Sequence, residues 1–186
     1  MGIKCSDGIV IAVGKTQASK MLVPGSNRRV FGIDTHAGIA VTGYAADGRQ
    51  LVNRGREEAK SYRETYGGKI VPSVLGNRLS LYMHYFTMYG SLRPFGSTAL
   101  IAAYDEDVKQ PELYMLEPSG SCARYLACAA GKGQNNAKTE LEKILNKKGT
   151  HGITCREAVV ELAKMYVTYT FPNVLFNVSV QITAGS

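Results

Sequence analysis

The stretch from Pro72 to Asp105 carries the strongest pattern in the chain. Leu75, Leu79, Tyr82, Phe86 and Tyr89 recur at steps of four, three, four and three, the spacing of one helical face. Leu81, Tyr85 and Met88 make a second apolar row beside the first. A helix apolar over that much of its circumference is expected to be covered on two sides. Ser73 is placed to cap its start, and Pro94 to stop it by pushing Arg93 into extended backbone. Gly96 then leads into Ser97–Tyr104, a run too continuously apolar for a strand with one wet face. A covered helix feeding a covered strand implies layers, with helices outside and sheets inside.

The rest of the chain fits that scheme. A Ser6-Asp7-Gly8 turn between two apolar runs reads as a hairpin whose second strand is Ile9–Val13. Short strands follow near Ser19–Val23, at Arg29–Ile33 and at Gly38–Gly43, separated by turns at Pro24-Gly25 and at 34–37. A first helix spans about Ala46 to Tyr66, with Leu51, Gly55, Ala59, Tyr62 and Tyr66 on one face and Gly67-Gly68 as its stop. Gly55 is read as a point of close packing against a neighbouring backbone. After the central helix and strand come strands at Glu112–Leu116 and Ala123–Ala129, then a helix at Gln134–Lys148 with one apolar stripe (Ala137, Leu141, Ile144, Leu145). A capping box, Thr154 with Glu157, opens a fourth helix whose apolar positions are 158, 162, 165 and 169 beside 159, 163 and 166. Phe176–Ile182 alternates as a last strand. Strands, two helices, strands, two helices, strand: two antiparallel sheets packed face to face, each covered by a helix pair, would bury every apolar face. The expected class is therefore α+β, a four-layer αββα sandwich. No linker, repeat or low-complexity segment breaks the chain, so residues 1–186 read as one domain.

Composition changes this picture little. An apolar share of 45% and 20% charged residues suit a chain with an ordinary core. No apolar run is long enough to span a membrane, and the first residues lack the basic-then-apolar pattern of a secretory signal. Cysteines at 5, 122, 128 and 155 form no C-x-x-C pair and read as reduced, mostly buried thiols. The net charge of +7 admits an anionic partner, but the basic residues are dispersed and form no cluster with interleaved aromatics. Nucleic acid is therefore not an expected partner.

Most candidate chemistry fails on spacing. Gly131-Lys132-Gly133 opens a helix but lacks the third glycine of a dinucleotide fingerprint, since Asn136 holds its place. No phosphate-binding loop, nucleophile elbow or zinc-spaced set occurs, and His36, His84 and His151 are isolated. No cofactor or metal is expected. One chemistry matches the architecture: the N-terminal-nucleophile hydrolases, in which a Thr, Ser or Cys at residue one attacks with its own amine as base. Met1 and Gly2 offer no such side chain. Exposing Cys5 by processing would make a peptidase, at the cost of most of the first strand.

Several segments together resemble a known family: Gly2–Val10, Gly25–Phe31, Gly43–Arg49, Arg93–Gly96, Tyr114–Gly120 and Gly131–Glu142. The chain is similar along essentially its whole length to the alpha-class subunits of the 20S proteasome. Gly25–Arg29, Arg56–Ala59 and Thr154–Glu157 look most like the type-3 members. The resemblance implies the N-terminal-nucleophile hydrolase fold and a non-catalytic place in the outer ring of the barrel. It also implies a part in assembly, substrate entry and activator docking in ubiquitin-dependent degradation, in cytoplasm and nucleus. Its partners would be neighbouring alpha subunits, beta-ring subunits and activators such as the ATPase regulatory particle. In the family a basic residue just before a strand pairs with the C-terminal carboxylate of an activator tail; the matching position is Arg29, with Gly43 lining the same pocket. Arginine suits that task because its planar fork binds a carboxylate with two parallel bonds. Arg93 is expected to pair structurally at its turn. Relative to the family, the chain is expected to lack an N-terminal gate tail and first helix, and a C-terminal helix with an acidic tail.

Overall fold

The Ser6-Asp7-Gly8 turn folds the first residues back on themselves. Gly8 O accepts from Cys5 N at 2.7 Å, and β1 (Gly2–Lys4) pairs antiparallel with β2 (Ile9–Ile11). The structure is a computed structural model that describes residues 1–15, 19, 21–23, 25–148, 152–169 and 176–177. β3 (Val13–Gly14) continues beyond β2 and pairs with β10 (Phe176–Asn177), the described part of the last expected strand.

Among the described residues the larger sheet has five antiparallel strands, each next to its neighbour in sequence. They are β4 (Val30–Asp34), β5 (Ala37–Gly43), β6 (Ser97–Asp105), β7 (Gln110–Leu116) and β8 (Cys122–Tyr125). α1 (Ala45–Tyr66) and α2 (Pro72–Met88) cover one face, where Leu51, Val52, Leu75, Leu79 and Met83 pack on Ile39, Val41, Ile101 and Leu116. The opposite face meets the smaller sheet β2-β1-β9, with β9 at Ala127–Cys128. There Ile9, Ile11 and Cys128 pack on Ala40, Leu100, Ala102, Leu113 and Met115. α3 (Gln134–Lys148) and α4 (Cys155–Tyr169) close the far side, with Leu141, Ala158, Leu162 and Met165 on Ile3 and Val10. The expected helix–sheet–sheet–helix layering is thus present, and β6 is covered on both faces as its composition requires.

The structure keeps some of the local signals and overrides others. Gly67 ends α1 in the left-handed region at φ 73°, and the Thr154–Glu157 box closes reciprocally at 3.3 and 3.4 Å. Ser73 does not cap α2. Pro72 takes the first helical position and holds Val71 in extended backbone as the N-cap residue, which moves Ser73 inside the helix. Nor does Pro94 stop that helix: it ends at Met88, where Tyr89 turns extended. Gly55 packs against a side chain instead of a backbone, since a Cβ there would lie 3.0 Å from Ile33 Cδ1. The expected strand at 123–129 is two strands in different sheets, with the chain crossing at Leu126, whose carbonyl accepts from Lys4 N at 2.8 Å. At its described positions Ser19–Val23 is a turn: Ser19 O accepts from Leu22 N, and Met21 stands in solvent with no strand beside it. His151, Tyr169's side chain and residues 178–182 lie outside the described set.

The largest departure concerns the second apolar row of α2. Leu81 is 68% exposed and Met88 56%, with Tyr85 and Tyr89 also exposed, so in this chain the helix is covered on one side. The sheet reaches only the Leu75–Leu79–Met83 face. Leu79→Ala is therefore expected to cost about 2–5 kcal/mol of stability. Leu81→Ala, on the open face, is expected to stay within about 0.5 kcal/mol. Urea unfolding of the two variants separates these outcomes.

Candidate functional site

The site at Arg29 and Gly43 is assembled by adjacent strands. Arg29 immediately precedes β4, and its carbonyl accepts from Val41 N at 2.9 Å, which extends the β4–β5 pairing by one step. Gly43 is the last residue of β5. The Arg29 guanidinium reaches across and donates from Nη1 to Gly43 O at 2.6 Å. The two residues picked out in the sequence, fourteen positions apart, are thus in direct contact. Arg29 is half-buried, and among the described residues no carboxylate pairs with it. Its planar fork has five donors, so donors remain for an anion arriving at this edge.

Gly43 is needed for a different immediate reason than room for a ligand. Its φ of +96° disfavours other residues, and a Cβ would sit 2.3 Å from Gly96 O. The register Gly43↔Ser97 between β5 and β6 sets this approach. Tyr44 N then donates to the same Gly96 carbonyl at 2.9 Å, and α1 begins one residue later.

Asp47, in the first turn of α1, locks the corner from the other side. Arg93 forks onto it, Nη1 to Oδ2 at 2.7 Å and Nη2 to Oδ1 at 2.9 Å, and Gly96 N donates to Oδ2 at 2.8 Å. Arg93 is therefore a structural partner, as expected from its place at the turn. Asp47 lies within the Gly43–Arg49 segment singled out in the sequence, but nothing in the spacing discloses its partner 46 residues away. The Arg93 bonds, followed by the Gly96 N–H, hold the Asp47 carboxyl down at about 2.

The other sequence candidates separate. Cys5 is buried, and burial pushes its thiol up to about 11, the reverse of an activated nucleophile. Gly131 sits in the left-handed region at φ +111° and opens α3 as a tight turn. A cavity of about 540 Å³ runs past that turn, its walls largely small and apolar (Ala12, Val13, Ala40, Ala129, Ala130), and it includes neither Arg29 nor Gly43. His36 is buried with Nε2 2.7 Å from Ile70 O, so that nitrogen donates; His84 is exposed on α2. Sequence reading missed one grouping altogether: Cys5, Asp7 and Cys155 meet beside the first turn. Cys5 and Cys155 are 150 positions apart, and no spacing rule joins them.

Because the folded Asp47 carboxyl is more acidic than the ordinary 3.8, its stabilising contribution is complete above about pH 4 and is lost as pH falls toward 2. Asp47→Asn is expected to lower the melting temperature above about pH 4, with the gap to the unaltered chain narrowing on acidification. Thermal melts across that range provide the measurement, and a gap that stays constant with pH would contradict the assignment.

A family model described as "Proteasome subunit" matches residues 1–176. The chain is 49% identical over 165 residues to proteasome subunit alpha type-3 of Arabidopsis thaliana, covering 89% of this chain and 64% of that protein. It is 48% identical to the alpha type-3 subunit of Dictyostelium discoideum with the same coverage of both. The alpha type-3 subunit of Drosophila melanogaster is 42% identical over 144 residues, 77% of this chain and 56% of that protein. The chain thus spans 56–64% of the length of these relatives.

Proposed function

The chain belongs to the proteasome subunit family, and on that basis we propose that it serves as a non-catalytic subunit of the 20S proteasome outer ring. In this reading it takes part in ring assembly, in shaping the substrate entrance and in docking activators during ubiquitin-dependent protein degradation, in cytoplasm and nucleus. The observation that carries the proposal is the 47–49% identity to plant alpha type-3 subunits over 89% of the chain. Its partners are neighbouring alpha subunits, beta-ring subunits and activating caps such as the ATPase regulatory particle. Peptide-bond cleavage belongs to other chains of the barrel; the buried, unactivated Cys5 supports that division.

Arg29 and Gly43 form this chain's part of a pocket for the C-terminal carboxylate of an activator tail. The Gly43 carbonyl fixes one guanidinium nitrogen of Arg29 and so orients the fork before a ligand arrives. A pre-set cation loses less freedom on binding than one that must first be ordered. The exposed row of α2 (Leu81, Tyr85, Met88) is apolar surface of the kind that contact with other subunits would cover.

Arg29→Ala, built into an intact barrel, is expected to weaken binding of an activator C-terminal peptide by roughly ten- to a hundredfold, the loss of one charge-assisted bond. Assembly, followed by native gel, is expected to be unchanged. Titration of a labelled peptide measures the affinity, and an unaltered value removes Arg29 from the pocket. The enzymatic alternative is tested with a fluorogenic peptide: the isolated chain is expected to give no turnover that disappears with Cys5→Ala.

A further inference from the structure

Three metal-ligating side chains meet where the β1–β2 turn docks against the start of α4. The sulfurs of Cys5 and Cys155 and a carboxylate oxygen of Asp7 all lie within 4.8 Å of one another. Both cysteines are buried, and Asp7 is exposed. The surrounding backbone is fixed by its own bonds. Gly8 O accepts from Cys5 N at 2.7 Å, and Ile153 O accepts from Ser6 N at 3.0 Å. Asp7 Oδ1 accepts from Cys155 N at 2.8 Å, which aims the carboxylate at the sulfur of the same residue. The Cys5 thiol lies 3.8 Å from Ile3 O and in contact with the Cys155 sulfur.

We propose that Cys5, Asp7 and Cys155 form a binding site for one thiophilic divalent cation of the zinc class, with water as fourth ligand. Two thiolates and a carboxylate are a donor set that zinc accepts and that magnesium or calcium does not favour. Sulfurs bound tetrahedrally at about 2.3 Å stand roughly 3.8 Å apart, inside the observed spacing. Each thiol gives its proton to solvent as its bond to the metal forms, so two protons leave per ion. The resulting centre carries one net negative charge. It lies at the N-terminus of α4, where the helix dipole favours negative charge. The exposed side of Asp7 is the route of entry and the place for the bound water. A cation here would tie the first turn of the small sheet to the helix that covers it.

The test uses the full chain, reduced and freed of metal, titrated without oxygen with Co²⁺ as a spectroscopic probe and then with Zn²⁺. One equivalent of Co²⁺ is expected to give a thiolate-to-metal charge-transfer band and tetrahedral d–d bands, both displaced by Zn²⁺. Cys5→Ser and Cys155→Ser are expected to abolish the stoichiometric signal, and Asp7→Asn to weaken binding by roughly tenfold or more. Asn keeps an acceptor for Cys155 N–H, so the helix start is preserved; Cys122→Ser is expected to change nothing. A second measurement needs no variant: Zn²⁺ should slow alkylation of Cys5 and Cys155, located by mass spectrometry, and leave Cys122 unaffected. Absence of the charge-transfer band, its persistence in Cys155→Ser, or alkylation rates that ignore Zn²⁺ would overturn the site.

Discussion

The central constraint on this fold is that the five-stranded sheet must be covered on both faces. β6 makes the demand plain. Ala99, Ile101 and Ala103 face α1 and α2, while Leu100 and Ala102 face the small sheet, and all five are buried. A strand with no wet side requires two covering layers. The helix pair is one of them. The other is a sheet that also carries apolar residues on its far side, Ile3 and Val10, and so needs a cover of its own, supplied by α3 and α4. The succession of elements along the chain follows from that requirement: each layer leaves a face that the next must bury.

The Arg29–Gly43 corner inherits its geometry from the same sheet. Arg29 and Gly43 meet because β4 and β5 are neighbours, and Gly43 opposes Ser97 because β5 and β6 pair in register. That register brings the Gly96 carbonyl under Gly43 and leaves no space for a Cβ. Asp47 then joins the Arg93–Gly96 turn to the first turn of α1. A carboxylate near a helix N-terminus that accepts three donors is favoured by dipole, charge and hydrogen bonding together. The proposed binding edge therefore rests on a corner held by Asp47, Arg93 and Gly96, and Arg29 is not among the residues that hold it.

Much of this architecture was legible in the sequence because long-period signals report burial directly. The 3.6-residue rows of α1 and α4 and the unbroken apolar run of β6 each identify an element and most of its covered face, although Tyr66 at the end of the α1 row stands exposed. Short-range signals were readable where two residues must agree, as in the Thr154–Glu157 box, and misleading where two signals competed, as at Pro72 and Ser73. The switch at Leu126 was hidden because alternation states which residues share a face and not which sheet owns the strand. The contacts of Asp47 with Arg93 and of Cys5 with Cys155 were hidden because each depends on the finished three-dimensional arrangement. Arg29 and Gly43 were picked out through family resemblance and not through any local pattern; the structure adds that they touch.

The outer row of α2 is where the apolar pattern and the chain disagree most. Leu81, Tyr85 and Met88 have the spacing and character of a buried face, yet they are open. Tyr85 and Tyr89 lie with ring centroids 4.9 Å apart, so this surface is organised, and it is continuous with the aromatic cluster of Tyr82, Phe86 and Phe95 beneath. Apolar periodicity records what a face meets in the state under selection, and for a ring subunit that state includes neighbours. Under the ring assignment proposed above, a neighbouring subunit would be the cover that the chain on its own does not supply. The same reasoning separates the two kinds of surface on this molecule: the α2 row offers area without charge, suited to permanent contact, whereas Arg29 offers a directed charge at an edge, suited to a ligand that arrives and leaves.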